Sequence, residues 1–131
     1  GEGGKAAAKF MENWALANIH AHIGMMIVED ISKVLSGDNQ KYLIESREKR
    51  FGKKLSELTE LRPEKSALLS KALDPVRMTL KEQPFLGGVK PLYVDYVLYG
   101  RFKWINAITN FQPLESDDII LSWYKRCDEL Y

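Results

Sequence analysis

Reactive side chains are scarce in this sequence. One cysteine, Cys127, and two histidines, His20 and His22, stand among 131 residues. A single cysteine excludes an internal disulfide and points to a reducing compartment, the cytoplasm. Long apolar runs are also missing. The most apolar stretch, Trp14 to Val28, is interrupted by Asn18, His20 and His22, and it is shorter than the ~20 residues a spanning helix needs. It also lacks the basic flank and the small-residue cleavage site of a signal peptide. Neither sign of charge dominates, with 19 Lys plus Arg against 18 Asp plus Glu and a net charge of +1. No global field therefore drives the chain onto nucleic acid or anionic lipid. What is present is ordinary globular material. Hydrophobic residues make up 45% and charged residues 28%, which excludes disorder and a disulfide-dense miniprotein. A chain of this size buries about two-thirds of its extended surface, enough for one core.

Glycine and proline divide the chain into five helical stretches, and the fold class expected is all-α. The opening Gly1-Glu2-Gly3-Gly4 reads as a flexible linker or a scar of something attached ahead of it, with one helical domain over residues 5–131. The first helix is expected from Lys5 to Ser36, ending at Gly37-Asp38-Asn39. Leu16, Ile19, Ile23, Met26, Ile27 and Val34 recur on one side of it. Phe10, Trp14, Ala17, Ala21, Met25 and Val28 form a second stripe. A helix with two apolar sides must be covered on both. Its length of about 48 Å exceeds the diameter of under about 40 Å expected for the domain, so it either overhangs or bends near Gly24.

A charged second helix is expected over Asn39 to Leu61, with Glu45–Lys49 and Lys53–Glu57 pairs one turn apart. Those pairs make the basic run Arg47, Lys49, Arg50, Lys53 and Lys54 a solvated face rather than a nucleic-acid patch. The third helix starts near Pro63-Glu64 and is kinked or divided at Pro75. Phe85-Leu86-Gly87-Gly88 forms a tight loop, the fourth helix runs from Leu92 to Thr109, and the last from Glu115 to Tyr131.

No reactive constellation stands out. His20 and His22 point about 200° apart on a helix and cannot share one metal ion, so no metal site is expected. Cys127 lies between Lys125-Arg126 and Asp128-Glu129, whose charges cancel, and it is read as inert. Aromatic residues are more suggestive. Phe10, Trp14, Tyr93, Tyr96, Tyr99, Phe102, Trp104, Trp123 and Tyr124 exceed what a small core needs. Part of this set can line an apolar pocket for flat ligands, with Asn13, Asn18 or Arg101 as polar anchors.

The order of these elements resembles the C-terminal helical domain of cytosolic glutathione transferases. The most specific stretch is Gln83-Pro84-Phe85-Leu86-Gly87-Gly88 through Pro91-Leu92-Tyr93-Val94-Asp95-Tyr96, which is similar to the family's loop before its central buried helix. In that family a Ser or Thr cap is followed three residues later by Asp, as a capping box. Asp95 matches the acidic position. Leu92 replaces the hydroxyl, so this helix is expected to depend more on packing. The run Tyr42-Leu43-Ile44-Glu45-Ser46-Arg47-Glu48-Lys49-Arg50-Phe51-Gly52 is similar to fungal transferases of the Fu class, which are related to bacterial lignin β-etherases.

The resemblance implies that glutathione is the co-substrate of an intact enzyme that adds it to a hydrophobic electrophile or uses it to cleave an aryl ether. Glutathione and the catalytic residue would belong mainly to an N-terminal thioredoxin-like domain, for which this chain shows no βαβ pattern, so the chain alone would be inactive. Phe10, Trp14, Ala17, Asn18 and Ala21, with Tyr99 and Phe102 from the fourth helix, would line the acceptor pocket for a phenolic guest. The first and second helices would form a homodimer, and no nucleic acid or membrane partner is implied. The alternative is a non-catalytic interaction module, since helical domains of this type also serve as assembly platforms on translation factors and aminoacyl-tRNA synthetases.

Overall fold

The computed structural model describes residues 1–130, so Tyr131, the expected end of the last helix, lies outside the described residues. The chain is all-α. Its elements are α1 (Glu2–Ala15), a π-helical turn (Leu16–His20), α2 (Ala21–Val34), α3 (Gly37–Phe51), α4 (Leu55–Glu60), α5 (Arg62–Ala72), α6 (Asp74–Leu80), α7 (Tyr93–Ile108) and α8 (Ile119–Asp128). Among the described residues the only β pairing is an isolated bridge between Phe85 and Gly88.

The first three elements are continuous and make one rod of about 50 Å. Its start is helical from Glu2 onward, and Glu2-Gly3-Gly4 stay exposed. Of the two alternatives, overhang or a bend near Gly24, the helical winding is not broken at Gly24, which sits inside α2. The break in winding falls at Leu16–His20 instead. A π-turn closes i→i+5 hydrogen bonds and is wider than an α-turn. Residues four apart therefore stay in line, and Ala15, Ile19 and Ile23 are all buried, followed by Met26 and Ile27. Leu16 and Val34, placed by simple periodicity on the same face, are turned out to solvent at 53% and 63% exposure. The rod protrudes. The accessible surface is 8323 Å², against roughly 7,000 Å² for a compact chain of this mass.

The expected second helix is two helices. Gly52 adopts φ +67 and donates its N–H to the Glu48 carbonyl at 2.9 Å, a left-handed cap that ends α3. Two acids of this charged run are used at the corner. The Glu48 carboxylate accepts from Leu55 N–H at 3.0 Å, and Glu57 from Lys54 N–H at 3.4 Å. Neither Glu45–Lys49 nor Lys53–Glu57 is among the ion pairs of the described residues. α4 then buries Leu55 and Leu58 against Val28, with Met25, Ile44 and Phe51 packed around them.

Pro75 begins α6 rather than kinking a longer helix, and Leu73 marks the boundary. Arg77 ties this corner together. Its guanidinium reaches Asp74 at 2.8 Å and Asp118, the cap of α8, at 2.7 Å. The main core lies between the rod, α5, α6, α7 and α8, with Ile19, Ile23, Leu69, Leu73, Ile120 and Trp123 fully buried.

Helix α7 leans less on packing than the missing cap hydroxyl led one to expect, and its Asp95 reaches back to the cap backbone. Leu92 brings no polar cap, but Asp95 is fully buried and its carboxylate does the work of a cap and more. One oxygen accepts from Leu86 N–H at 2.7 Å and from the Trp123 indole N–H at 2.9 Å. The other accepts from Gly87 N–H and Leu92 N–H, both at 2.9 Å. Four donors from the loop, the helix start and α8 therefore converge on one side chain. Hydrogen bonds to an ionised acceptor are about twice as strong as neutral ones.

Candidate functional site

Several clefts lie along the rod, and the two described first share no lining residue. The first, of about 260 Å³, lies between α1, α6 and the loop after α6. Phe10, Met11 and Trp14 form one side, Pro75 and Val76 the second, and Leu86 the end. Phe10 is 68% exposed, an unusual position for a large ring. The Asp95 hydrogen bonds to Leu86 and Gly87 fix the backbone that presents Leu86 to this cleft. Thr79, also in the wall, turns its hydroxyl back onto the Pro75 carbonyl at 2.8 Å. The result is an open apolar wall.

The sequence-derived acceptor set is scattered over the molecule. Phe10 and Trp14 do share this cleft. Ala17 and Asn18 lie exposed on the π-turn, where the Asn18 amide donates to the Trp14 carbonyl at 3.0 Å. Ala21 lines the other cleft. Tyr99 and Phe102 are core residues, 9% and 5% exposed. The Tyr99 hydroxyl donates to Asp128, and Phe102 meets Trp123 edge-on at 6.4 Å. Asn13 is exposed, and Arg101 lines a separate recess with Glu12, Tyr93 and Tyr96. The cleft also holds Met11, Pro75, Val76 and Leu86, which the sequence did not place in a pocket. Pro75 had been read only as a breaker, and Leu86 only as part of a turn.

The second cleft, of about 390 Å³, lies between α2, α3 and α7. His20 and Trp104 stack there with ring centroids 5.8 Å apart. His20 Nδ1 is buried with no hydrogen-bond partner. Burial, and then the nearby Arg101 charge, lower the His20 pKa from its ordinary value. Both favour the neutral ring. Among the described residues no group of three or more His, Cys, Asp or Glu side chains could hold a metal ion. Cys127 is 2% exposed, and burial followed by the Asp95 charge raises its pKa to about 11. Such a thiol is neither a nucleophile nor a ligand at neutral pH.

The described residues form an all-α bundle with a protruding first helix, a buried aspartate at the start of its central helix and an open apolar wall. Residues 6–128 match the family model of the glutathione S-transferase C-terminal domain, and the chain belongs to that family. Glutathione is the co-substrate of this family, and domains of this kind usually pair with a thioredoxin-like domain. Among the described residues no helix is long and apolar enough to cross a membrane.

Proposed function

We propose that the chain forms the acceptor side of a cytoplasmic glutathione transferase, with a thioredoxin-like domain supplying the glutathione site and the catalytic residue. The acceptor is a hydrophobic aromatic electrophile, of the phenolic kind handled by Fu-class and β-etherase-like enzymes. The observation that carries this reading is the Phe10–Trp14 cleft, apolar and open on one side. Its volume of about 260 Å³ falls below the ~300–1,000 Å³ of complete small-molecule pockets. A wall shared with a second body has this form. The chain alone is inactive on this reading, because the groups brought together at the cleft include no nucleophile and no base.

The test uses the chain joined to its thioredoxin-like domain. Trp14→Ala removes one face of the cleft without touching the glutathione side. KM for an aromatic electrophile is expected to rise about tenfold, the cost of losing a large apolar contact, while KM for glutathione stays unchanged. An unchanged electrophile KM removes Trp14 from the site. A joined protein that binds neither glutathione nor electrophile supports the interaction-module reading in its place.

Pairing of two copies through the rod and α3 belongs to the same proposal. Val34 at the end of α2 and Tyr42 on α3 are exposed at 63% and 73%, apolar surface that such an isologous contact can cover. A Tyr42→Glu variant is then expected to shift the joined protein from dimer to monomer in sedimentation.

A further inference from the structure

The π-turn Leu16–His20 interrupts an otherwise α-helical rod, and turns of this winding are rare yet concentrated where proteins function or move. Most of the turn is unattached to the body. Leu16, Ala17 and Asn18 are exposed, and of its residues only Ile19 is fully buried. The last residue, His20, makes a sideways contact. Its ring stacks on Trp104 of α7, with centroids 5.8 Å apart and planes 20° from parallel. A titratable ring thus pins the end of the turn to the body.

The surroundings of that ring suit only its neutral form. Nδ1 is buried and has no hydrogen-bond partner. A neutral imidazole accommodates this with its hydrogen on Nε2, whereas an imidazolium carries N–H on both nitrogens. Protonation in place would therefore bury a donor without an acceptor. The nearby charges act in the same direction. Arg47 and Arg50 of α3 line the cleft that His20 faces, and Arg101 of α7 acts on the ring. Among the described residues no Asp or Glu lines that cleft. Glu12 of α1 lines the recess that holds Arg101 instead. On α2, Asp30 is paired with Arg62 and Glu29 with Lys33, and His22 points about 200° away. An imidazolium gains some attraction from an indole face, but three guanidiniums and an unsatisfied donor oppose it. The His20 pKa is accordingly lowered, by burial first and then by Arg101.

We propose that the His20–Trp104 stack is an acid-released latch on the first helix. Neutral and stacked, it holds the π-turn against α7; on protonation the ring leaves Trp104 and loosens the turn together with α1 ahead of it. The sign follows from linkage. A released ring regains its ordinary pKa of 6.5, so below that pH it binds the proton that the stacked ring refuses. The open fraction then grows up to about tenfold per pH unit, until the pH reaches the pKa of the stacked ring. Phe10 and Trp14 lie on the helix that is loosened, and the latch stands or falls independently of what their cleft binds.

The test follows the ¹⁵N-labelled chain by NMR from about pH 7.5 to about pH 5, above the range where carboxylates titrate. Three signals are read: the His20 ring nitrogens, the Trp104 indole N–H, and the hydrogen-exchange protection of backbone amides. The Trp104 signal is expected to move together with His20 protonation, below about pH 6.5. Protection in the π-turn and α1 should fall by up to about tenfold per pH unit, while protection in α8 holds. His20→Phe keeps a flat ring on Trp104 but takes no proton, and both pH responses should vanish. His22→Asn should leave them intact. Should His20→Phe not fold, Arg101→Gln removes one opposing charge and should move the His20 and Trp104 responses together to higher pH. A His20 that titrates without moving Trp104, or a Trp104 response that survives in His20→Phe, overturns the proposal. So does protection that stays constant in the turn, or that is lost in α8 to the same degree, since the whole fold then opens rather than the latch.

Discussion

At the residue scale, Asp95 has the largest predicted consequence. Replacing it with Ala leaves the Trp123 indole and the Leu86 and Gly87 N–H groups without their acceptor. Buried donors left unsatisfied cost about 1–3 kcal/mol each. Asp95→Ala is therefore expected to lower stability by at least ~3 kcal/mol in urea unfolding, while Leu92→Ser, which restores a cap hydroxyl, should raise it by about 0.5–1 kcal/mol. Asp118 gives a pH signature. Burial pushes its pKa up, but the hydrogen bonds from Arg77 and from Ile120 N–H outweigh this and the net shift is downward. A depressed folded pKa means that its contribution is complete above the unfolded value, near pH 4, and is lost as pH falls through the folded one. Stability should therefore decline below about pH 4, and Asp118→Asn should flatten that decline. The Cys127 thiol, with a pKa of about 11, should resist a disulfide reagent at pH 8 until the protein unfolds. A prompt reaction in the native state would mean that α8 opens locally.

At the scale of elements, two glycines separate tight from open backbone. A Cβ on Gly87 would lie 2.5 Å from Leu92 Cγ and 2.7 Å from the Lys90 carbonyl oxygen. Gly87→Ala must therefore displace backbone, and a loss of about 1–3 kcal/mol is expected. Gly100 is inside α7 with open space around it, so Gly100→Ala should gain about 0.5–1 kcal/mol. Thermal unfolding of the pair gives opposite signs if this placement is right. Element boundaries set by Gly, Pro and Asp could be read from the sequence. The Pro75 division, the Phe85–Gly88 loop and the Asp95 back-bond to Leu92 all stand in the structure. The α3–α4 break was not foreseen, because Gly52 inside a charged, periodic run looks like a tolerated helix residue until its left-handed φ is known. The π-turn was hidden for a related reason. Apolar residues stand at 16 and at 15 and 19, and only packing decides which of them faces the core. The residues that the resemblance implied for the acceptor pocket are divided by this winding, with Phe10 and Trp14 in one cleft and Ala21 in another.

At the scale of the whole molecule, large apolar side chains stand exposed in several places, among them Tyr42, Met78 and Val89. Phe10, Leu16, Tyr93 and Leu92 are all more than half exposed, and they belong to the rod and to the start of α7. A bare apolar region of this kind binds dyes or other copies of the chain. The isolated chain is expected to enhance the fluorescence of an apolar dye or to self-associate as its concentration rises. A monomer that ignores the dye would show that these rings are covered in solution. Joining the thioredoxin-like domain should suppress both effects, and it would do so without any change in the fold of α5 to α8.

The winding of the rod has one further consequence. The turn at Leu16–His20 acts on the helix as a one-letter insertion acts on a reading frame, because everything before it is read against the core in a different phase. Deleting Leu16, a solvent-facing residue, would restore the frame and rotate α1 about its axis by about 100° relative to α2. Phe10 and Trp14 would then swing away from Pro75 and Leu86, and the face now formed by other residues of α1 would be presented in their place. One residue, added or removed, is thus enough to exchange the whole N-terminal wall while α2 through α8 remain as they are.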